Sequence, residues 1–231
     1  TDPFVIQKHA SMLVDAGIDV IFFDTTNGAF TWKDEYEALC RVYTEMRAAG
    51  NRTPSIAFIC PFGDPMPVLN NVWKDLYVPG LWSDLWFRWE GKPLILANPD
   101  FVKDPTMREF FTFRQPIPDY WKGPSGPNQW SWLEVYPQHV FRNDRGETEQ
   151  MSVGVAQNAL PDTPGPAPMS HAAGAMGRSW HNNAKDPRPG AVNLGLNFDE
   201  QWQRAMEVDP KFIFVTGWNE WIAGRYTQWS R

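Results

Sequence analysis

Two glutamates with tryptophan neighbours are the residues of this chain best suited to chemistry. Glu134 follows Trp130 and Trp132 at alternate positions, and Glu220 lies in the Gly-Trp-Asn-Glu-Trp segment at 217–221. Cleavage of an acetal needs one carboxylic acid to protonate the leaving oxygen and a second carboxylate to act as nucleophile or to activate water. Apolar ring walls raise the pKa of a carboxyl group and keep such an acid protonated. The pair therefore predicts cleavage of glycosidic bonds; the alternative for each glutamate is a capping or ion-paired carboxylate at a strand end.

A third carboxylate and a set of aromatic and polar side chains would complete such a site. Asp24 ends a predicted strand, where it either assists the two glutamates or only organises its own turn. Aromatic faces stack on the apolar C–H faces of sugar rings, while amides and cations bind hydroxyl groups. The expected substrate-binding residues are Trp218, Asn219, Trp221, Tyr136, Trp180, His181, Trp132, Asn98 and Arg225. His139, His181 and Arg225 are as well explained by supporting positions behind the site.

The composition excludes several other classes of function. The 231 residues carry a formal charge of −6 with scattered Lys and Arg, so no footprint for nucleic acid or anionic lipid is present. No run approaches the roughly 18 apolar residues of a membrane span. The sequence has no HExxH, GxSxG or phosphate-binding loop, and no His or Cys cluster with metal spacing, so we expect no metal or nucleotide cofactor. Cys40 and Cys60 could form at most one disulfide.

Short apolar segments that alternate with helical patterns must position these residues. Seven strands are predicted, at 19–24, 55–59, 93–97, 110–113, 129–135, 151–156 and 211–216. Helices are predicted at 2–16, at 34–49 and at about 198–208, the last capped by Asn197 with Phe198, Trp202 and Met206 on its inner face. Alternation within 129–135 would place Trp130, Trp132 and Glu134 on one face. Trp73, Trp82, Trp86 and Trp89 are assigned to core packing.

This alternation predicts a single (β/α)8 TIM-type barrel domain over residues 1–231. Because seven strands do not close such a barrel and the chain opens on a helix, we expect that strand 1 and the closing helix are missing and that strand 19–24 exposes an edge. An open doubly wound sheet is the alternative, although no Gly-rich nucleotide loop follows strand 19–24. In either fold the chemistry gathers at the carboxyl ends of the strands, where Asp24, Asn98 and Glu134 lie.

The segment 158–197 has no clear periodicity and is rich in proline. Long loops of this kind are either functional or disordered linkers. We expect an ordered active-site loop over the strand ends that brings Trp180 or His181 near the carboxylates. Glu134 and Glu220 should then face each other across the barrel mouth.

Three segments resemble a known family. The helix over 2–17, the run over 20–28 and the terminal segment over 214–225 resemble the bacterial WbsX-like proteins, which are related to glycoside hydrolase family 99. The resemblance covers nearly the whole chain, and the segment at 217–221 is its most specific part. It implies a (β/α)8 barrel that acts on complex polysaccharide, usually outside the cytoplasm, so an extracellular or periplasmic protein is expected. The Glu-Trp-His-Glu-like arrangement of the family 99 endomannosidases is missing here, so their residue roles and mannose specificity are not carried over.

The sequence thus predicts a glycoside hydrolase that acts on a poly- or oligosaccharide without a cofactor. Two alternatives stay open. A glycosyltransferase of polysaccharide biosynthesis, a label also used for the WbsX-like proteins, would need a nucleotide-sugar or lipid-linked donor site. A non-catalytic carbohydrate-binding domain would need the aromatic side chains alone.

Overall fold

The computed structural model describes residues 2–118, 121–157, 159–161, 163–166 (backbone only) and 175–217. The chain divides into two compact units, Thr1–Pro116 and Ile117–Arg231, and each is described by itself. Both mix helices with parallel strands, so the chain is a mixed α/β protein consistent with a TIM-like fold. Closure of a barrel, the missing first strand and a single domain over 1–231 stay predictions. Within the described residues, no helix is long and apolar enough to cross a membrane.

Parallel strands with covering helices build the first unit. Its strands are β1 (Val20–Asp24), β2 (Ser55–Ile59), β3 (Arg88–Trp89), β4 (Lys92–Leu96) and β5 (Thr112–Ile117). Strands β1, β2, β4 and β5 are parallel neighbours in that order, and β3 pairs antiparallel with β4. In the described residues β1 pairs with β2 on one side alone, as expected for an edge strand. Strands β2 and β4 are nearly wholly buried, which explains why they are continuous apolar runs in the sequence.

The helices of the first unit begin at recognisable caps. They are α1 (Pro3–Asp15), α2 (Lys33–Ala48), α3 (Met66–Val72) and α4 (Pro105–Phe110). The Asp2 carboxylate accepts the Phe4 N–H at 2.9 Å and the Asp104 carboxylate accepts the Thr106 N–H at 2.8 Å, each just before a proline in the first turn. These contacts confirm the predicted start of the chain on a capped helix.

An aromatic cluster forms the core of the first unit. Phe58 of β2 is wholly buried and lies with its ring centroid 5.1 Å from that of Phe23 and 5.5 Å from that of Tyr36. Trp86 is buried in this cluster, and Trp73 and Trp82 pack against it, which confirms their assignment to packing. Cys40 and Cys60 are buried free thiols.

The second unit has shorter strands. Its elements are β6 (Gln129–Ser131), β7 (Phe141–Arg142), β8 (Thr148–Gly154), β9 (Ala159–Leu160), β10 (Thr163–Pro166), β11 (Trp180–His181), β12 (Ala184–Lys185), α5 (Leu196–Val208) and β13 (Phe212–Thr216). Strand β13 is parallel to β8, with Thr216 opposite Gly154 at their carboxyl ends. Strand β7 pairs antiparallel with the other side of β8.

The predicted strand over 129–135 is shorter in the structure. Strand β6 ends at Ser131, so the alternation of strand faces does not extend to Glu134. Trp130 is a core residue: its ring stacks on Phe212 at 4.6 Å, and its indole N–H donates to Glu149 at 2.8 Å.

The predicted inner face of α5 is confirmed in part. Phe198 and Trp202 pack against the buried cluster of Met151, Val153 and Ala205, whereas Met206 is 73% exposed. The buried positions of the helix are Asn197, Gln201 and Ala205. The three buried positions are four residues apart and share one helix face. Two of the three are amides, and a hydropathy pattern does not assign such residues to the interior.

The segment 158–197 is not one irregular loop. Its described residues form two short antiparallel ladders, β9 with β10 and β11 with β12, and a 3₁₀ turn at Ala191–Asn193 before α5 begins. Trp180 of β11 packs with Leu133, Ala159 and Met176. The segment therefore does bring Trp180 beside the chain neighbours of Glu134.

Candidate active site

Glu134 is a buried carboxylate held by one histidine. It lies in the irregular segment after β6, and its side chain has no exposed surface. Its Oε2 lies 2.6 Å from His139 Nδ1 and accepts the His139 backbone N–H at 3.2 Å. The chain turns between Glu134 and His139, and this turn brings the two side chains together. A hydrogen bond to a carboxylate of this length is a strong, charge-assisted contact that fixes both side chains.

His139 connects the buried carboxylate with solvent. Its side chain is 38% exposed, and its ring lies against Gly123. A Cβ on Gly123 would lie 2.5 Å from His139 Cδ2 and would clash with the ring. The backbone φ of +65° also favours glycine at this position. Because Nδ1 is bound to Glu134, Nε2 is the nitrogen that can exchange a proton with another group.

The main chain of Glu134 is held as well as its carboxylate. Its carbonyl oxygen accepts Gln157 Nε2–H at 2.8 Å and Gln201 Nε2–H at 3.0 Å. Gln201 Oε1 in turn accepts the Gly154 N–H at 2.6 Å, and Gln201 is wholly buried. One side chain of α5 thereby ties the Glu134 backbone to the carboxyl end of β8.

Other buried amide side chains near Glu134 also donate hydrogen bonds to main-chain carbonyls. Gln138 Nε2 donates to the carbonyl oxygens of Ser152 and Gln201, both at 3.0 Å, and Asn197 Nδ2 donates to that of Gly154 at 2.8 Å. We call the following buried residues the polar layer: Ser131, Glu134, Gln138, Gln150, Ser152, Gln157, Asn197 and Gln201. Buried polar groups are costly unless they are hydrogen-bonded, so this layer permits little rearrangement.

The polar layer reaches back to β6 through a serine pair. Ser131 Oγ and Ser152 Oγ lie 2.7 Å apart, Gln150 Oε1 accepts the Ser131 N–H at 3.0 Å, and Gln150 Nε2 donates to the Ser131 carbonyl at 3.1 Å. Gln150 and Ser152 are two positions apart on β8 and so share one face of the strand. This spacing is the sequence signal that could have revealed the layer.

Four buried side-chain oxygens of this region have no partner among the residues that the structure describes. They are Gln138 Oε1, Gln157 Oε1, Asn197 Oδ1 and Thr216 Oγ1. Thr216 lies opposite Gly154 in the β13–β8 register, and Asn197 binds the Gly154 carbonyl. The carboxyl ends of β8 and β13 thus contain buried side-chain oxygens with unused hydrogen-bonding capacity.

The aromatic residues predicted near Glu134 lie beside it in the same unit. Trp132 and Trp180 pack on the small cluster of Leu133, Ala159 and Met176, and Tyr136 is half-buried two positions after Glu134. Trp132 and Trp180 therefore pack on a cluster that contains Leu133, the residue next to Glu134.

His181 takes part in a different polar cluster. Its Nδ1 lies 3.3 Å from the Ser179 carbonyl oxygen, and its Nε2 lies 3.9 Å from Asp186 Oδ2. Hydrogen bonds from Arg188 lower the pKa of Asp186 to about 2, so this carboxylate is ionised at neutral pH. Asp186 Oδ2 forms a salt bridge with Arg188 Nη2 at 2.8 Å.

Asp24 and Asn98 follow strands of the first unit. Asp24 is exposed. Its Oδ1 accepts hydrogen bonds from the backbone N–H of Thr26 at 2.9 Å and from the Thr26 hydroxyl at 2.7 Å. Asn98 Oδ1 accepts the Asp100 N–H at 3.0 Å. Both side chains organise the turn that follows their strand. A role for either in substrate binding or catalysis stays a prediction.

The remaining predicted site residues lie outside the described residues. They are Trp218, Asn219, Glu220, Trp221 and Arg225. The pairing of Glu220 with Glu134 stays a prediction for that reason. Within the described ranges, no group of three or more His, Cys, Asp or Glu side chains is placed to hold a metal ion.

Comparisons with known proteins reveal a likeness of fold. No family model matches the sequence, and no curated protein matches it. A solved structure of the GH99 endo-alpha-mannosidase from Bacteroides thetaiotaomicron aligns with a TM-score of 0.55 and 15% identity over 95% of this chain and 67% of that one. A second structure, of the endo-alpha-mannosidase in complex with bis-tris-propane, aligns with a TM-score of 0.53 and 15% identity over 95% and 71%. The fold of this chain therefore resembles that of a family 99 glycoside hydrolase, as the sequence resemblance implied, while the WbsX-like relationship stays a prediction.

Proposed function

We propose that this chain is a glycoside hydrolase that cleaves a complex polysaccharide with two carboxylates, one of them Glu134. The observation that carries the proposal is the buried Glu134 carboxylate, whose Oε2 lies 2.6 Å from His139 Nδ1. The likeness to a glycoside hydrolase fold supports the reaction class at the level of fold. The neighbouring Trp132 and Trp180 are suited to contact with sugar rings.

The Glu134–His139 pair can hold one proton in two places. When Glu134 is ionised, Nδ1–H donates to Oε2; when Glu134 is protonated, its O–H donates to Nδ1. After Glu134 has given its proton to the leaving oxygen, the Nδ1–H proton can pass to Oε2 while Nε2 takes up a proton from solvent. His139 is exposed enough for this exchange, since 38% of its side chain is accessible. A buried acid can therefore recover its starting state after each turnover.

Precise placement of the carboxyl group is the second requirement of the mechanism. General acid–base catalysis needs the acid within hydrogen-bond reach of the oxygen that it protonates. Gln157 and Gln201 hold the Glu134 carbonyl, and His139 holds its carboxylate, so the side chain is fixed at both ends. These three residues position Glu134.

Glu220 is the proposed second carboxylate, and Asp24 is the substitute if the two glutamates lie too far apart. A carboxyl separation of about 5–5.5 Å would make the enzyme retaining, with a covalent intermediate. A separation of roughly 6.5–9.5 Å would leave room for a water molecule and make it inverting.

The test is hydrolysis of a polysaccharide panel by the 231-residue chain and its variants. Yeast α-mannan is the first substrate because the similar structures are of an endo-alpha-mannosidase; xylan, laminarin and alginate extend the panel. We expect new reducing ends with the unaltered chain and a loss of about 10²-fold or more in turnover with Glu134→Gln, because positioned acid–base catalysis contributes on the order of 10²–10⁴.

Glu149→Gln is the matched control. Glu149 is as buried as Glu134, both being 1% exposed, and it lies in the same unit, where it accepts the Trp130 indole N–H. The control variant should hydrolyse at nearly the normal rate once its folding is verified by circular dichroism. Near-normal turnover by Glu134→Gln on a substrate with a poor leaving group would contradict the role of Glu134. Binding of a polysaccharide without new reducing ends would favour the carbohydrate-binding alternative.

A further inference from the structure

We infer that Phe30 and Trp32 form a sugar-binding platform, a subsite for a ring of the polysaccharide away from the bond that is cleaved. The inference names a subsite for the proposed function and rests on it for the substrate class. Phe30 is 71% exposed and Trp32 is 55% exposed, with ring centroids 6.2 Å apart and planes inclined by 37°. Two large aromatic rings presented side by side to solvent require an explanation beyond core packing.

The loop that carries the two rings is built to expose them. Thr31 between them is buried, so the flanking side chains both point outward. Trp32 has φ of 53° and ψ of 49°, a left-handed conformation that costs energy for any residue other than glycine. Its carbonyl oxygen accepts the Tyr36 N–H at 2.9 Å, which anchors it to α2. This backbone is therefore held in an unfavourable conformation that keeps the indole in solvent.

Two more contacts fix the Phe30 side of the platform. Gly28 has φ of +137°, and the Phe30 ring lies 3.5 Å from the position that a Cβ on Gly28 would take. Asn71 Nδ2 of α3 donates to the Ala29 carbonyl at 3.2 Å. The Phe30 ring thus lies against the backbone of Gly28, and one hydrogen bond connects the loop to α3.

The platform lies at the edge of the sheet where ligands of parallel α/β folds bind. In the registers of β1 with β2 and of β2 with β4, Asp24 is opposite Ile59 and Ile59 is opposite Leu96, so the three strands end level. The loop with Phe30 and Trp32 leaves this edge directly after Asp24. Ligands in such folds lie outside the carboxyl ends of the strands. Asp24 at the end of β1 and Thr26 in the loop precede the two rings and add polar side chains, and this combination suits a ligand with both hydroxyl groups and apolar ring faces.

The area of the platform argues against a second protein as its occupant. Two aromatic side chains bury at most roughly 300–500 Å² together. Stable protein–protein interfaces bury about 1,200–2,000 Å². The platform suits a single sugar unit far better than it suits a protein interface.

Affinity gel electrophoresis in yeast α-mannan, xylan, laminarin and alginate tests the inference. The unaltered chain should be retarded in at least one gel. Phe30→Ala and Trp32→Ala should each weaken this retardation about tenfold, as truncation of a central aromatic contact does. Trp32→Phe should retain most of it, because a ring remains.

Phe4→Ala is the matched control, since Phe4 of α1 is 72% exposed and does not belong to the loop between β1 and α2. It should bind like the unaltered chain. Glu134→Gln should also be retarded normally, because the platform does not include the carboxylate.

The outcomes separate this inference from the proposed function. Retardation that depends on Phe30 and Trp32, without any hydrolysis, would retain the platform and refute the hydrolase. Hydrolysis that depends on Glu134, with retardation unchanged in Phe30→Ala and Trp32→Ala, would refute the platform alone. No retardation in any gel, or loss of self-association in Trp32→Ala by analytical ultracentrifugation with unchanged retardation, would also overturn it.

Discussion

The two units have interiors of different chemistry. Of seventeen buried polar side chains among the described residues, thirteen lie in the second unit, where amides and hydroxyls surround Glu134. The first unit instead buries one continuous apolar cluster around Phe58, Tyr36 and Tyr77. Apolar packing stabilises in proportion to the area removed from water and tolerates conservative replacement. A buried polar layer contributes less net free energy for each group but demands a single arrangement.

This difference separates a unit with an apolar interior from the unit in which we propose the reaction centre. Gln157 and Gln201 of the polar layer hold the main-chain carbonyl of Glu134, and His139 holds its carboxylate. An apolar interior could fill the same volume without such placement. The comparison predicts that truncations in the first unit mainly lower stability, and that changes in the polar layer lower turnover as well.

The largest loss of stability is expected for Phe58→Ala in the first unit. Phe58 is wholly buried and contacts the rings of Phe23, Tyr36 and Tyr77. Truncation of a buried Phe costs about 3–5 kcal/mol of the free energy of unfolding, because transfer and cavity terms add. Urea unfolding followed by tryptophan fluorescence measures this loss. A change below about 1 kcal/mol would contradict the view that this cluster holds the first unit together.

Gln201→Leu should have a smaller effect on stability and a distinct effect on turnover. The leucine fills a similar volume but leaves the Gly154 N–H without its acceptor at 2.6 Å, which costs about 1–3 kcal/mol. The Glu134 carbonyl loses one of its two donors as well. We expect kcat to fall about tenfold or more with little change in KM, and the pH profile of kcat to shift, because the carboxylate is less well positioned.

Gln203→Leu on the same helix is the control for this variant. Gln203 is exposed, and its Nε2 donates to Asp199 Oδ2 at 2.7 Å. Its replacement should change the free energy of unfolding by at most about 0.5 kcal/mol and leave the pH profile unaltered. Equal kinetics for the two variants would show that the polar layer is structural alone.

The contrast also explains which parts of the fold were predictable. In the first unit, strand 55–59 was predicted at its observed bounds, and helix 34–49 was displaced by one residue from Lys33–Ala48. Apolar side chains point inward there, so hydropathy periodicity reports directly on burial. In the second unit the helix at about 198–208 is confirmed together with the packing of Phe198 and Trp202, but the buried amides Asn197 and Gln201 are missed because hydropathy periodicity does not report on polar side chains.

The candidate site was predictable in part for the same reason. Glu134 was selected from its tryptophan neighbours, yet its direct partner is His139. A turn without periodic structure brings these residues together, so no helix or strand pattern links them. Gln201 contacts Glu134 across 67 positions of chain, a separation that only the folded structure bridges.

Tyr36→Phe tests the apolar character of the first unit with a smaller effect. The Tyr36 hydroxyl is buried and has no partner among the described residues. Burial, aided by Asp75 and Glu37, raises the pKa of Tyr36 well above its ordinary value, so the phenol is uncharged. Removal of an unsatisfied buried hydroxyl should leave the free energy of unfolding unchanged or raise it by up to about 1 kcal/mol. A loss beyond about 1 kcal/mol in urea unfolding would show that this unit also depends on a buried polar contact.

The smallest expected effect concerns Glu147, an exposed carboxylate at the turn between β7 and β8. Its Oε2 accepts hydrogen bonds from Lys211 Nζ at 2.6 Å, from Asn143 Nδ2 at 2.7 Å and from Arg145 Nε at 3.1 Å. These hydrogen bonds, that of Lys211 first, lower the pKa of Glu147 from 4.5 to about 2. Because the pKa is depressed in the folded state, the ionised carboxylate stabilises the folded protein above its unfolded pKa. This contribution is lost as pH falls through the folded pKa.

Thermal unfolding of the unaltered chain and Glu147→Gln should therefore differ slightly at pH 6, and the difference should shrink between pH 4.5 and about 2. The effect should also weaken in high salt because the group is exposed. A difference in Tm that stays constant down to pH 2 would show that the stabilisation does not depend on the charge of Glu147.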